Sequence, residues 1–172
     1  EQGKGSSSFV VPTGNLGNAF ACLLARECGL PIDGVVLATN ANRVLADFVA
    51  TGHYDPRDSR ATLANAMDVG APSNVERLRH RFPEVSKVLE ADWVDDETIR
   101  STIKRTLEES GEIICPHTAC GVEVLRRVRA RGAKGAWIVA ATAHPAKFDS
   151  IVEPLIGRPV PVRSSSSWIL PN

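Results

Sequence analysis

Phe9-Val10-Val11-Pro12-Thr13-Gly14-Asn15-Leu16-Gly17-Asn18 joins a short apolar run to a glycine-rich turn, and Ala19, Leu23 and Leu24 then recur near helical spacing. A β-branched and aromatic run closed by proline reads as a strand, and the 3.6-residue period reads as a helix. That helix is expected to stop at Gly29, ahead of Pro31, because glycine takes the left-handed turn that ends helices. Gly34-Val35-Val36-Leu37-Ala38-Thr39 reads as a second buried strand. A helix follows with Val44, Leu45, Phe48 and Val49, ending at Gly52, and Asn40 or Asn42 is placed to cap it.

The later half repeats this order. Asp95 has the side chain of an N-cap, Val94 and Ile99 sit at hydrophobic-staple positions, and Ile99, Ile103 and Leu107 run at four-residue spacing to Gly111. Ile113-Ile114 is expected as a short strand before Pro116, and Val122, Leu125 and Val128 mark a helix ending near Gly132. Ala136-Trp137-Ile138-Val139-Ala140 is a continuous apolar run of the buried parallel type. Alternation of this kind predicts an α/β domain with a mostly parallel sheet and helices on both faces. Ligands of such sheets bind beyond the carboxyl ends of the strands.

The whole chain has 172 residues, 20 Lys and Arg against 20 Asp and Glu, and a 43% hydrophobic fraction, values of an ordinary globular domain with a real core. Zero net charge argues against a dedicated nucleic-acid binder. The basic groups Arg77, Arg79, His80, Arg81 and Arg126, Arg127, Arg129, Arg131 lack interleaved aromatics and read as solvated helix faces. The longest apolar stretch, Ala136 to Ala143 with one Thr, is far below the roughly 20 residues that span a bilayer, so no membrane segment is expected. Four cysteines in C-x5-C and C-x4-C spacing, Cys22, Cys28, Cys115 and Cys120, suit neither a disulfide scaffold nor a zinc site. A reducing, cytoplasmic setting without a bound metal is the expectation. Residues 1–8 and 161–172 are rich in Gly or Ser and read as flexible ends around a unit spanning 9–160.

Chemistry concentrates at three places. Gly14 to Asn18, between a strand and a helix, reads as a phosphate cradle of backbone N–H groups or as an ordinary tight turn. It matches neither the dinucleotide fingerprint nor a Walker loop. Thr142 and His144 follow the last apolar run on the expected ligand side, where they face a ligand or serve as local turn and cap residues. In Cys115-Pro116-His117-Thr118-Ala119-Cys120-Gly121, His117 or Thr118 opens a helix, with capping the favoured role.

Five segments in series give a specific resemblance: Val11 to Asn18; Ala38-Thr39-Asn40-Ala41-Asn42; Pro72-Ser73-Asn74-Val75-Glu76-Arg77-Leu78; Pro116-His117-Thr118-Ala119 with Gly121; and Thr142 to Phe148. From residue 9 to about 155 the chain resembles the C-terminal part of the threonine synthase family. Those enzymes use pyridoxal 5'-phosphate, have the tryptophan-synthase β-like fold (fold type II), and convert O-phospho-L-homoserine and water to L-threonine and phosphate. The resemblance implies that Gly14, Asn15, Leu16, Gly17 and Asn18 hold the cofactor phosphate and that Thr142 hydrogen-bonds the pyridine nitrogen. Ser73, Asn74 and Arg77 are weaker carry-overs, lining the substrate side or capping a helix. The family's Schiff-base lysine lies in a Ser-Phe-Lys-Asp-like segment upstream of the glycine loop, and Lys4, Lys87, Lys104, Lys134 and Lys147 all lack that context. The resemblance therefore implies a missing N-terminal part that supplies the lysine, and an inactive isolated chain. Cys115 stands where related sequences often carry Asp. A different enzyme of the same fold, such as an amino-acid dehydratase, and a non-catalytic module for a phosphorylated metabolite or a partner chain are the alternatives.

Overall fold

The computed structural model describes residues 5–161; the first four residues and 162–172, nearly all of the tail expected at 161–172, lie outside the described residues. Four strands, β1 (Ser7–Pro12), β2 (Ile32–Thr39), β3 (Glu90–Trp93) and β4 (Ala136–Val139), form one sheet in the order β3-β2-β1-β4. All three pairings are parallel, as expected for strands joined through helices. The helices are α1 (Gly17–Glu27), α2 (Val44–Thr51), α3 (Val75–Arg81), α4 (Asp96–Ser110), α5 (Pro116–Ala130) and α6 (Asp149–Ile156).

Alternate strand residues serve opposite faces. Val10, Val36 and Ala38 join Ile99 and Ile103 of α4, Val124 of α5 and Val152 of α6 in one buried cluster. Val11, Val35 and Leu37 join Ala19 and Leu23 of α1, Phe48 of α2 and Leu78 of α3 in the other. Each fully buried Leu, Ile or Val contributes about 1.5–3 kcal/mol to folding. The helix signals around α4 hold: Asp95 accepts from the Thr98 N–H at 2.7 Å, Val94 and Ile99 are both fully buried, and Gly111 ends the helix at φ 76°.

Several elements differ from the sequence expectation. β1 begins inside the segment read as a tail, because Ser7 N–H reaches the Pro31 carbonyl at 3.1 Å and Ser8 packs at Gly34, where a Cβ would lie 3.2 Å from its Oγ. Ile113 and Ile114 form no strand; they send side chains to the α4/α5 core without a backbone ladder. Along α5 Val128 is buried as expected, but its partner in the core is Val124, with Val122 and Leu125 half-buried. β4 is the sheet edge, with Ile138 46% exposed, although its apolar run reads as doubly covered. Neither Asn40 nor Asn42 caps α2, whose N-cap is Arg43 with no side-chain bond. The two amides reach instead into the 60–68 loop: Asn40 Nδ2 donates to Asp68 Oδ1 at 2.7 Å, and Asn42 Nδ2 to the Arg60 carbonyl at 2.9 Å.

Candidate functional site

β1 and β4 are neighbours, yet the chain leaves β1 for α1 on one face and leaves β4 for α6 on the other. Such a divergence is a topological switch point and opens a crevice past the strand ends. The glycine loop after β1 and Thr142 after β4 meet there, lining one cavity of about 230 Å³ with Ala66, Met67 and His117.

The loop's shape comes from Thr13 and Leu16. Thr13 N–H holds the Ala38 carbonyl at 3.0 Å, and Thr13 Oγ1 accepts from the Leu16 N–H at 2.9 Å. Leu16 is in the left-handed region at φ 66°, with its side chain fully buried. Such backbone costs a non-glycine residue about 1–3 kcal/mol, which burial of the leucine offsets. Leu16 is therefore an anchor whose N–H is already engaged, so within Gly14 to Asn18 it supplies no donor for a ligand. The first intrahelical bond is from Phe20 N–H to the Leu16 carbonyl. The N–H groups of Gly17, Asn18 and Ala19 precede it, at the positive end of α1, where anions are favoured.

The two glycines do different work. A Cβ on Gly14 would stand 2.7 Å from Met67 Cα, so this residue lets the 66–67 segment close against the loop. A Cβ on Gly17 meets nothing within 4 Å, and Gly17 borders the cavity, leaving open space beside the helix-end donors. Asn15 Oδ1 accepts from Ser73 N–H at 2.6 Å and Ser73 Oγ at 3.1 Å, and the Asn15 carbonyl accepts from Asn74 Nδ2 at 2.7 Å. Arg77 donates to Asn74 Oδ1 at 3.2 Å. Ser73, Asn74 and Arg77 are thus brought to the glycine loop, and Asn74 uses its side chain there rather than to cap α3.

Thr142 is exposed at the cavity wall, whereas His144 caps the short 3-10 turn Pro145–Phe148, its Nδ1 accepting from Ala146 N–H at 3.2 Å. Cys115, not His117 or Thr118, caps α5, with Sγ accepting from Thr118 N–H at 3.5 Å. A cysteine thus fills the capping position. His117 is left free to line the cavity, a role that capping statistics alone do not suggest. It is 6% exposed, and burial pushes its pKa down, which favours the neutral imidazole. A larger cavity of about 310 Å³ lies between Ala41–Val44 and Arg57–Arg60. Its guanidinium groups are engaged, Arg43 and Arg57 with Asp47 and Arg60 with the Ala41 carbonyl.

A family profile described as "Threonine synthase, C-terminal" matches residues 118–166. The threonine synthase of Serratia marcescens is 41% identical over 155 residues, covering 88% of this chain and 35% of its own length. The chain is similar to the C-terminal part of threonine synthases. It superposes on the crystal structure of threonine synthase from Escherichia coli with a TM-score of 0.82 at 36% identity, over 95% of this chain and 38% of that one. The structure of PLP-bound threonine synthase from Brucella melitensis gives 0.82 at 30% identity, over 94% and 40%. The expected tryptophan-synthase β-like fold stands, as a partial domain: the chain spans about a third of the length of the threonine synthases it matches.

Proposed function

We propose that this chain is the cofactor-phosphate-binding part of a pyridoxal-phosphate-dependent threonine synthase, a lyase converting O-phospho-L-homoserine and water to L-threonine and phosphate. The observation that carries this reading is the convergence of the glycine loop and Thr142 on one cavity at the switch point. The residues fit the cofactor: three N–H groups at a helix end suit a phosphate, open space at Gly17 admits it, and a hydroxyl across the cavity suits a ring nitrogen.

Gly17, Asn18 and Ala19 would bind the phosphate, with Gly14 and Asn15 shaping the loop behind them. Thr142 would hydrogen-bond the pyridine nitrogen as a neutral partner, favouring a pyridinium less than a carboxylate does. When bound, the cofactor supplies the electron sink for negative charge developing on the substrate. Ser73, Asn74 and Arg77, tied to Asn15, would present hydroxyl, amide and guanidinium to an anionic substrate. The lysine that holds the cofactor and moves substrate protons would come from the missing N-terminal part, the required partner of this chain. That part would also cover the edge of β4 and the exposed Ile138. The working unit is residues 9–160, extended back to Ser7 by the strand. Neutral net charge and four free thiols support a cytoplasmic protein without a nucleic-acid partner; no helix among the described residues is long and apolar enough to cross a membrane.

The test is an NMR titration of the chain with inorganic phosphate and with pyridoxal phosphate. Both should shift the amides of Gly17 to Ala19, and only pyridoxal phosphate should shift Thr142. Unmoved helix-end amides would refute the reading.

A further inference from the structure

We propose that His117 is a positioning residue for this cavity: as the neutral Nδ1–H tautomer it joins the Ala66–Met67 wall, the Pro145–Phe148 turn and the head of α5, and so sets the width of the cofactor site. The proposal rests on the cavity being the cofactor site. His117 is the second residue of α5, and its Nε2 accepts from the Ala66 N–H at 3.1 Å. A nitrogen that accepts carries no proton, so in a neutral ring the proton sits on Nδ1, which faces Cys115 Sγ at 4.0 Å. The ring also packs on Phe148, centroids 4.8 Å apart.

One imidazole thereby touches segments that lie far apart in the sequence, of which Ala66–Met67 and His117 itself border the cavity. Its partner Ala66 adjoins Met67, whose backbone fills the space that the missing side chain of Gly14 leaves. Displacing the 66–67 segment would free the glycine loop on its inner side. The other end of that segment is held independently: Asp68 accepts from Asn40 and Asn42 Nδ2, from Thr62 Oγ1 and from Thr62 N–H. Removing the imidazole acceptor should therefore loosen one wall while leaving the loop attached to the domain. Among the described residues the Ala66 N–H has no other acceptor, so losing the imidazole leaves this part-buried bond unmade and the 66–67 backbone open to solvent.

The experiment uses the 172-residue chain and its His117→Phe and His117→Gln variants. Phenylalanine keeps the packing on Phe148 but has no acceptor; glutamine returns one. In the parent chain the ring ¹⁵N shifts should show a protonated Nδ1 and a bare Nε2. His117→Phe should speed Ala66 amide exchange and weaken pyridoxal phosphate about fivefold, read at the Gly17 to Ala19 amides, consistent with loss of one part-buried hydrogen bond. His117→Gln should recover most of both. A proton on Nε2, or equal affinity and Ala66 exchange in His117→Phe, overturns the proposal. If His117→Phe does not fold, the ring shifts of the parent chain and the affinity of His117→Gln decide. Should the parent chain bind no pyridoxal phosphate, the cofactor-site reading fails, while the tautomer and Ala66 exchange still test the latch.

Discussion

Asn15, in the glycine loop, accepts both the backbone N–H and the hydroxyl of Ser73, at 2.6 and 3.1 Å, across 58 positions of sequence. One amide oxygen thus fixes the distance between the proposed phosphate cradle and the proposed substrate-side residues. Asn15→Ala should leave the sheet intact and release the Ser73–Arg77 segment, seen as faster exchange of the Ser73 amide. Unchanged protection at Ser73 would show that the segment is held by other contacts.

Gly17 and Gly14 separate ligand space from packing space. Gly17→Val should fold normally, since no atom lies within 4 Å of its new Cβ, and should lose phosphate binding at the helix end. Gly14→Ala should destabilise the chain by about 1–3 kcal/mol, the usual cost of overpacking, because its Cβ would meet Met67 Cα at 2.7 Å. Urea melts with parallel phosphate titrations distinguish the two. Loss of stability in Gly17→Val with retained binding would reverse these roles.

Thr142→Ala should weaken pyridoxal phosphate and leave inorganic phosphate unaffected, since only the former presents a ring nitrogen. Equal loss for both ligands would place Thr142 at the phosphate instead.

The isolated chain should form no threonine from O-phosphohomoserine with added pyridoxal phosphate, because the family's lysine segment is absent from its sequence. Steady turnover in a threonine assay contradicts the assignment of that lysine to a separate part.

Asp95 gives a pH signature. Hydrogen bonds from Thr98 hold its carboxyl below the usual range. A carboxyl depressed in the folded state adds stability above its unfolded value of about 3.9 and loses it as pH falls through the lower folded value. Asp95→Ala should cost about 1 kcal/mol near neutral pH, and the gap between variant and parent in thermal melts should shrink under strong acid. A gap independent of pH would mean that the charge contributes nothing to the cap.

Signals confined to a few neighbouring residues were the legible ones. The strand-turn-helix around Thr13–Asn18 and the Asp95–Gly111 helix each carry their own punctuation, and the α/β class followed from their order. What escaped depends on partners distant in sequence. Asn40 and Asn42 look like caps until Arg60 and Asp68 return beside them, and His117 looks like an opening helix residue until Ala66 presents its N–H. The β4 run is as apolar as a doubly covered strand, yet the described residues cover one side only, so composition alone misread it as buried on both faces. Leu16 carries no local mark of its left-handed backbone, which its burial enforces.

The register Ser7↔Ala136 gives this unit a folding order. β1 sits in the middle of the sheet but near the start of the chain, and its two neighbours come from opposite ends of the sequence. β1 and β2 can pair once a short stretch has formed, whereas docking β4 closes a loop of more than a hundred residues, a step with a larger entropic cost and a slower rate. Because Thr142 follows β4 and Gly17 follows β1, the crevice between them assembles last. On a translating ribosome the end of α1 proposed to hold the phosphate emerges long before the Thr142 side of the crevice exists, so its helix-end N–H groups are available to an anion before the ring end of a larger ligand has a counterpart.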